Sequence, residues 1–165
     1  MSGKWDDPSV PKSGWTCTGV TDLFDEDDPD SFAMATCEMC EVQEIRFVHH
    51  MTHPRHEPLD TGCICAGNME GNPFAAGYRE SEVRRISERR RNWLRRKWRV
   101  SRNGNEFLNV DGFNVVIFAQ HDGFGAKIEH RESYDPAEWL EVPAPTVIAA
   151  KLAAFDRLMF RLRSG

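Results

Sequence analysis

The sequence predicts an α+β fold, and three observations carry that reading. Four of the five cysteines fall in two tight pairs, Cys37/Cys40 and Cys63/Cys65. Eleven basic residues against three acids lie between Arg79 and Arg102. Three turn signals, Asn103-Gly104, Asp111-Gly112 and Asp122-Gly123, follow at short intervals, and apolar residues at helical spacing close the chain. With 165 residues, 40% hydrophobic and 28% charged, the chain suits one domain of roughly 150 residues, alone or with a small module. Its parts are expected to form one compact unit. A large multi-domain enzyme and a wholly disordered chain are both excluded.

Each element has its own signal. Residues 1–14, rich in Pro, Gly, Ser and Asp, read as a flexible arm. A module over 15–72 opens with a short strand at 15–20. An exposed acidic loop over 21–35 follows, carrying Asp22, Asp25, Glu26, Asp27, Asp28, Pro29 and Asp30. Ile45, Phe47 and Val48 mark a strand over 45–51, with a turn between Pro54 and Pro58 and a brief return strand at 59–61. Asn72-Pro73 starts a helix over 73–97, because asparagine caps free amides and proline is tolerated at the first helical position. Its apolar stripe is narrow: Phe74, Tyr78, Val83, Ile86, Trp93 and Leu94. Over 98–165 the turns separate strands at about 98–102, 106–110, 113–119 and 124–130, a β-meander. Phe113, Val115 and Ile117 share one face and Val116 and Phe118 the other, so the central strand is covered at least partly on both sides. Thr146 caps a last helix whose Ile148, Leu152, Phe155, Met159 and Leu162 can lie across the sheet.

Two cysteine pairs plus Cys17, in a chain whose first residues carry no export signal, favour metal over disulfides and a cytoplasmic location. Zinc takes four soft or borderline ligands in a tetrahedron, and Cys37-Glu38-Met39-Cys40 presents two thiolates on one tight turn. The second pair is separated by one residue, a less common spacing that still brings both sulfurs to one ion at a bend leading into a helix. The expected cofactor is zinc, bound by Cys37, Cys40, Cys63 and Cys65. His49, His50, His53 or His56 is the alternative to either of the last two. Cys17 reads as a small buried hydrophobe, and His53 as a turn residue.

Knuckle, β-hairpin, then cysteines at a helix start: this order resembles a treble-clef zinc finger. Over about residues 37–68, Cys37-Glu38-Met39-Cys40 followed by Ile45 to Met51 with paired histidines resembles a degenerate HNH-endonuclease module. The resemblance implies a general base at His49 or His50, acting as neutral imidazole, and a divalent metal held by later asparagine and histidine residues. The family's central asparagine is missing from 51–62. Ala66 stands where a metal-binding histidine is expected, leaving Asn68 as the nearby substitute. The same scaffold also serves as a purely structural module.

The segment from Arg79 to Arg102 carries a net +8 in a chain of −5, so the remainder carries −13. Arg84, Arg85, Arg89, Arg90, Arg91, Arg95, Arg96, Lys97, Arg99 and Arg102 are the candidate phosphate contacts of a nucleic-acid partner, DNA ahead of RNA. The competing readings are a solvated helix answered by the protein's own acidic loop, and a protein-interaction adaptor or homodimer. In outline the meander and helix are similar to the amino-terminal domains of tyrosine integrases. That likeness implies a basic edge at Arg99, Arg102, Lys127 and Arg131, with Asn103, Asn105 and Asn114 toward base edges. Gly-x-Gly-x-x-Gly, phosphate-loop and Gly-x-Ser-x-Gly motifs are absent, and no apolar run is long enough to span a membrane.

Overall fold

The computed structural model describes residues 2–25, 27–28 and 30–164. Met1 of the expected arm, Glu26 and Pro29 of the acidic loop, and Gly165 lie outside the described residues. The expectation of one compact unit needs correcting: the chain divides into two, Met1–Arg89 and Arg90–Gly165, and the boundary falls inside the basic helix. The reason is that two separate sets of apolar residues each close a core of their own.

In the first unit, β1 (Thr16–Asp22), β4 (Phe47–His53) and β5 (His56–Thr61) form an antiparallel sheet in the order β1-β4-β5, with a small ribbon of β2 (Ala35–Thr36) and β3 (Glu44–Ile45) beside it in sequence. Helix α1 (Cys63–Glu70) packs on β1 and β4. The core is small and soft: Met39, Met51 and Met69 are fully buried together with Cys37, Ala66 and Ala76. Methionine fills irregular gaps between short elements.

Residues 2–14, expected as a loose arm, are instead held down. Lys4 N–H donates to the Met39 carbonyl at 2.8 Å, the Trp15 indole donates to the Pro11 carbonyl at 2.8 Å, and Val10 is buried in the core. The acidic loop folds back on itself through an isolated Phe24–Phe32 bridge, and Asp22 takes both oxygens to Arg46 at 2.7 and 2.9 Å.

Helix α2 (Pro73–Leu94) starts where the sequence places it, with Asn72 Oδ1 accepting from Ala75 N–H at 3.0 Å. Its expected stripe fails at Phe74 and Tyr78, 84% and 60% exposed, with Ala76 buried instead, and again at Ile86, which is exposed beside a buried Ser87. The cause at the helix start is a close approach of backbones. A Cβ on Gly67 would lie 2.7 Å from Pro73 Cα, so only a small residue fits where α2 meets the core.

In the second unit β6 (Arg99–Val100), β7 (Glu106–Val110), β8 (Phe113–Gln120), β9 (Gly123–His130) and β10 (Glu138–Trp139) pair antiparallel in chain order. The three Asx-Gly signals set the ends of β7, β8 and β9 closely, because glycine at positive φ (Gly104, Gly112, Gly123) closes each turn. Helix α3 (Val147–Ser164) is capped by Thr146 Oγ1, which accepts from Ala149 N–H at 3.0 Å. It packs on β8 and β9, contributing Ala154, Phe155 and Leu158 to the core of this unit. Leu162 of the expected stripe is 43% exposed instead: it continues the i, i+4 row of Ala150, Ala154 and Leu158 but lies in the last turn of the helix. Phe113, Val115 and Ile117 face the helix and are buried, whereas Val116 and Phe118 on the other face are half-buried. No helix among the described residues is long and apolar enough to cross a membrane.

Candidate metal centres and basic segment

The turn after β2 presents Cys37 and Cys40, and the first turn of α1 presents Cys65. Their three sulfurs lie within 4.8 Å of one another, a grouping that could hold a metal ion. Main-chain and indole donors already serve them: Gly62 N–H points at Cys37 Sγ at 3.4 Å and the Trp5 indole N–H at Cys65 Sγ at 3.3 Å. Hydrogen bonding from the Cys65 thiol, with help from the N–H groups of Cys40, Gly62 and Met39 and against the cost of burial, pulls the Cys37 thiol down to about 5. Cys65 is pushed up in turn, as the donor of that bond and by burial. The downward shift at Cys37 favours the thiolate, the ionised form in which cysteine binds metal.

Cys63 does not join them. It groups with His49 and Glu80, whose ligand atoms also lie within 4.8 Å of one another. A four-cysteine site is therefore not what the fold assembles, for a helical reason. Successive positions turn by about 100°, so residues two apart point to nearly opposite sides, and Cys63 and Cys65 leave α1 in different directions. Burial first, and then the Glu80 carboxylate, raise the Cys63 thiol. His49, wholly buried on β4, directs Nε2 to Glu80 Oε2 at 3.1 Å, while Arg84 donates to the other oxygen at 2.7 Å. A cleft of about 280 Å³ opens over Cys63 and Glu80, with Arg46, Phe47 and Arg84 also on its wall.

The remaining histidines have other partners. His50 places Nδ1 2.7 Å from Asp60 Oδ1 and Nε2 2.8 Å from the Thr21 hydroxyl. His53 and His56 pack against the Trp15 ring at 5.1 and 5.4 Å between centroids. None of the three is a fourth ligand to the cysteine trio in this geometry. Asn68 is exposed on α1, its carbonyl accepting from Gly71 N–H. Cys17 is half-buried and its thiol donates to the Gly19 carbonyl at 3.3 Å. Sequence reasoning missed Glu80 and Trp5. Glu80 was findable as one of three acids in a basic run, whereas Trp5 finds Cys65 only once the chain is folded.

The basic segment is less uniform than its sequence. Arg79 pairs with Glu70, Arg84 with Glu80, Arg85 with Glu82, and Arg90 with both oxygens of Asp156. In the second unit Arg95, Arg96, Lys97, Arg99 and Arg102 are exposed, and no acid occurs between Glu88 and Glu106. On the sheet face turned away from α3, cross-strand pairing aligns Arg99, Phe107, Val116, Lys127 and Trp139 in one row over five strands. Phe118 stands on the same face, its ring 5.7 Å from that of Trp139. Compared with protein families, with curated proteins and with solved structures, the chain finds no significant match in any of the three.

Proposed function

We propose that the protein binds nucleic acid through its second unit and that zinc at Cys37, Cys40 and Cys65 stabilises the first, which we read as a treble-clef module. The observation that carries the binding reading is the exposed run Arg95, Arg96, Lys97, Arg99 and Arg102, which contains no acid of its own. Phosphate contacts of this kind supply affinity by releasing counterions. The row of Arg99, Phe107, Lys127 and Trp139 beside it offers aromatic faces on which unstacked bases can lie, flanked by cations. The zinc reading rests on three clustered thiols in a core too small to be self-sufficient, and the treble-clef reading on the order knuckle, hairpin β4–β5, helix α1.

The test is the affinity of metal-loaded protein for labelled single-stranded and duplex DNA, and for RNA, at low salt and at about 0.2 M. Binding that weakens by on the order of a hundredfold fits several phosphate contacts. Absence of binding at low salt would turn the arginines toward the protein's own acids or a protein partner.

A metal-dependent HNH-like nuclease using His49 or His50 is the second reading, motivated by the paired histidines on β4. It has less behind it. Both ring nitrogens of His50 are engaged and His49 is wholly buried, whereas a general base must reach the water it activates. Plasmid cleavage with magnesium or manganese, lost in His50→Ala, would reverse the ranking.

A further inference from the structure

We propose that His49, Cys63 and Glu80 form a second metal centre, separate from the cysteine trio, that binds a divalent transition ion with one coordination position turned to the cleft above it. The proposal stands whether or not the protein binds nucleic acid.

Three ligand atoms from three elements converge: an imidazole nitrogen from β4, a thiol from the first position of α1 and a carboxylate from α2, all within 4.8 Å. Metal–ligand bonds of about 2.0–2.3 Å put tetrahedral ligand atoms roughly 3–4 Å apart, and the imidazole and carboxylate already stand 3.1 Å apart. The supporting contacts leave the right atoms over. Arg84 occupies Glu80 Oε1, so Oε2 faces the cluster. The burial of His49 in the first unit fixes its ring, with Nε2 turned to Glu80 Oε2.

One nitrogen, one sulfur and one carboxylate oxygen make a borderline donor set, suited to zinc or cobalt(II) and not to magnesium or calcium, which want shells of oxygen. Three protein ligands are also the count of an open site, in which water or an anionic oxygen completes the shell. The fourth position has somewhere to face, since Cys63 and Glu80 both lie on the cleft wall with Arg46 and Arg84. In the cysteine trio, by contrast, Cys37 is fully buried, Cys40 half-buried, and Trp5 lies against Cys65.

The experiment is a metal count on the full chain loaded with zinc and, in parallel, with cobalt(II), then dialysed. The deciding quantity is the difference between wild type and Cys63→Ser. A loss of one equivalent, with far-UV circular dichroism unchanged, is expected. The near-isosteric Glu80→Gln should lose the same equivalent, and Cys37→Ser should keep it. In the cobalt form, the charge-transfer absorption missing from Cys63→Ser is that of a single thiolate. Equal metal counts in wild type, Cys63→Ser and Glu80→Gln would overturn the proposal, whatever the cysteine trio binds.

Discussion

Cys63 and Cys65, two positions apart at the start of α1, belong to different clusters: Cys65 faces Cys37 and Cys40, and Cys63 faces His49 and Glu80. One short helix therefore orients a ligand of each. Any change that turns α1 about its axis disturbs both clusters at once, while substitutions of the two cysteines themselves are chemically independent.

On the proposed zinc reading, a chelator should act on the first unit and spare the second. With the cysteine trio emptied by a chelator, amides of β4 and α1 should lose hydrogen-exchange protection by on the order of a hundredfold, the effect of withdrawing a ligand present at about 100 times its Kd. Amides of β7, β8 and β9 should keep theirs, because that core contains no cysteine. Equal loss in both units would show that the metal stabilises the whole chain.

Substitution of Arg96, Lys97 and Arg99 by alanine should flatten the salt dependence of nucleic-acid binding, lowering the slope of log K against log salt by roughly 3, about one per phosphate contact. Arg84 and Arg85, each already facing a glutamate at 2.7 Å, should change the slope little when replaced together. Titrations at three salt concentrations distinguish the two outcomes.

Thr146→Ala removes the side-chain cap of α3, the bond from Ala149 N–H, and should cost about 1 kcal/mol. Thr146→Ser should retain most of it. Thermal unfolding followed through the second unit reads the difference.

Gly123→Ala should destabilise the second unit more than the lost cap does. Gly123 has φ +138, and an added Cβ would stand 2.3 Å from the Ala144 carbonyl oxygen. That oxygen accepts from Phe124 N–H at 2.8 Å, so relief of the clash breaks a bridge. A cost of about 1–3 kcal/mol is expected in denaturant unfolding, against little for Gly104→Ala beyond its own φ strain, since nothing lies within 4 Å of a Cβ there.

Much of the second unit was legible because its signals are local. Asn103-Gly104, Asp111-Gly112 and Asp122-Gly123 each specify a turn within a few residues, and Thr146 specifies a helix start without reference to anything distant. The first unit depends on chain segments far apart in sequence. Nothing in Gly3 to Val10 announces that Trp5 will donate to Cys65 or that Val10 will be buried, since composition reports solubility and not docking. The division of the cysteines was legible in principle: a Cys-x-Cys pair inside a helix points two ways, and α1 does begin at Cys63. What hid it was the expectation of a bend there. The exposed aromatics of α2 were unreadable for another reason, since periodicity gives a stripe but not the approach of Gly67 to Pro73 that decides which residue sits under it.

The five strands of the second sheet stand side by side in the order the chain makes them, so each pairing closes only a short loop. In the first sheet β1 pairs with β4 across an intervening ribbon and knuckle. Short closures form early and long ones late. Refolding should accordingly run in two stages, a fast one in which the hairpins of the second unit assemble without metal, and a slower one timed by the arrival of β4 beside β1.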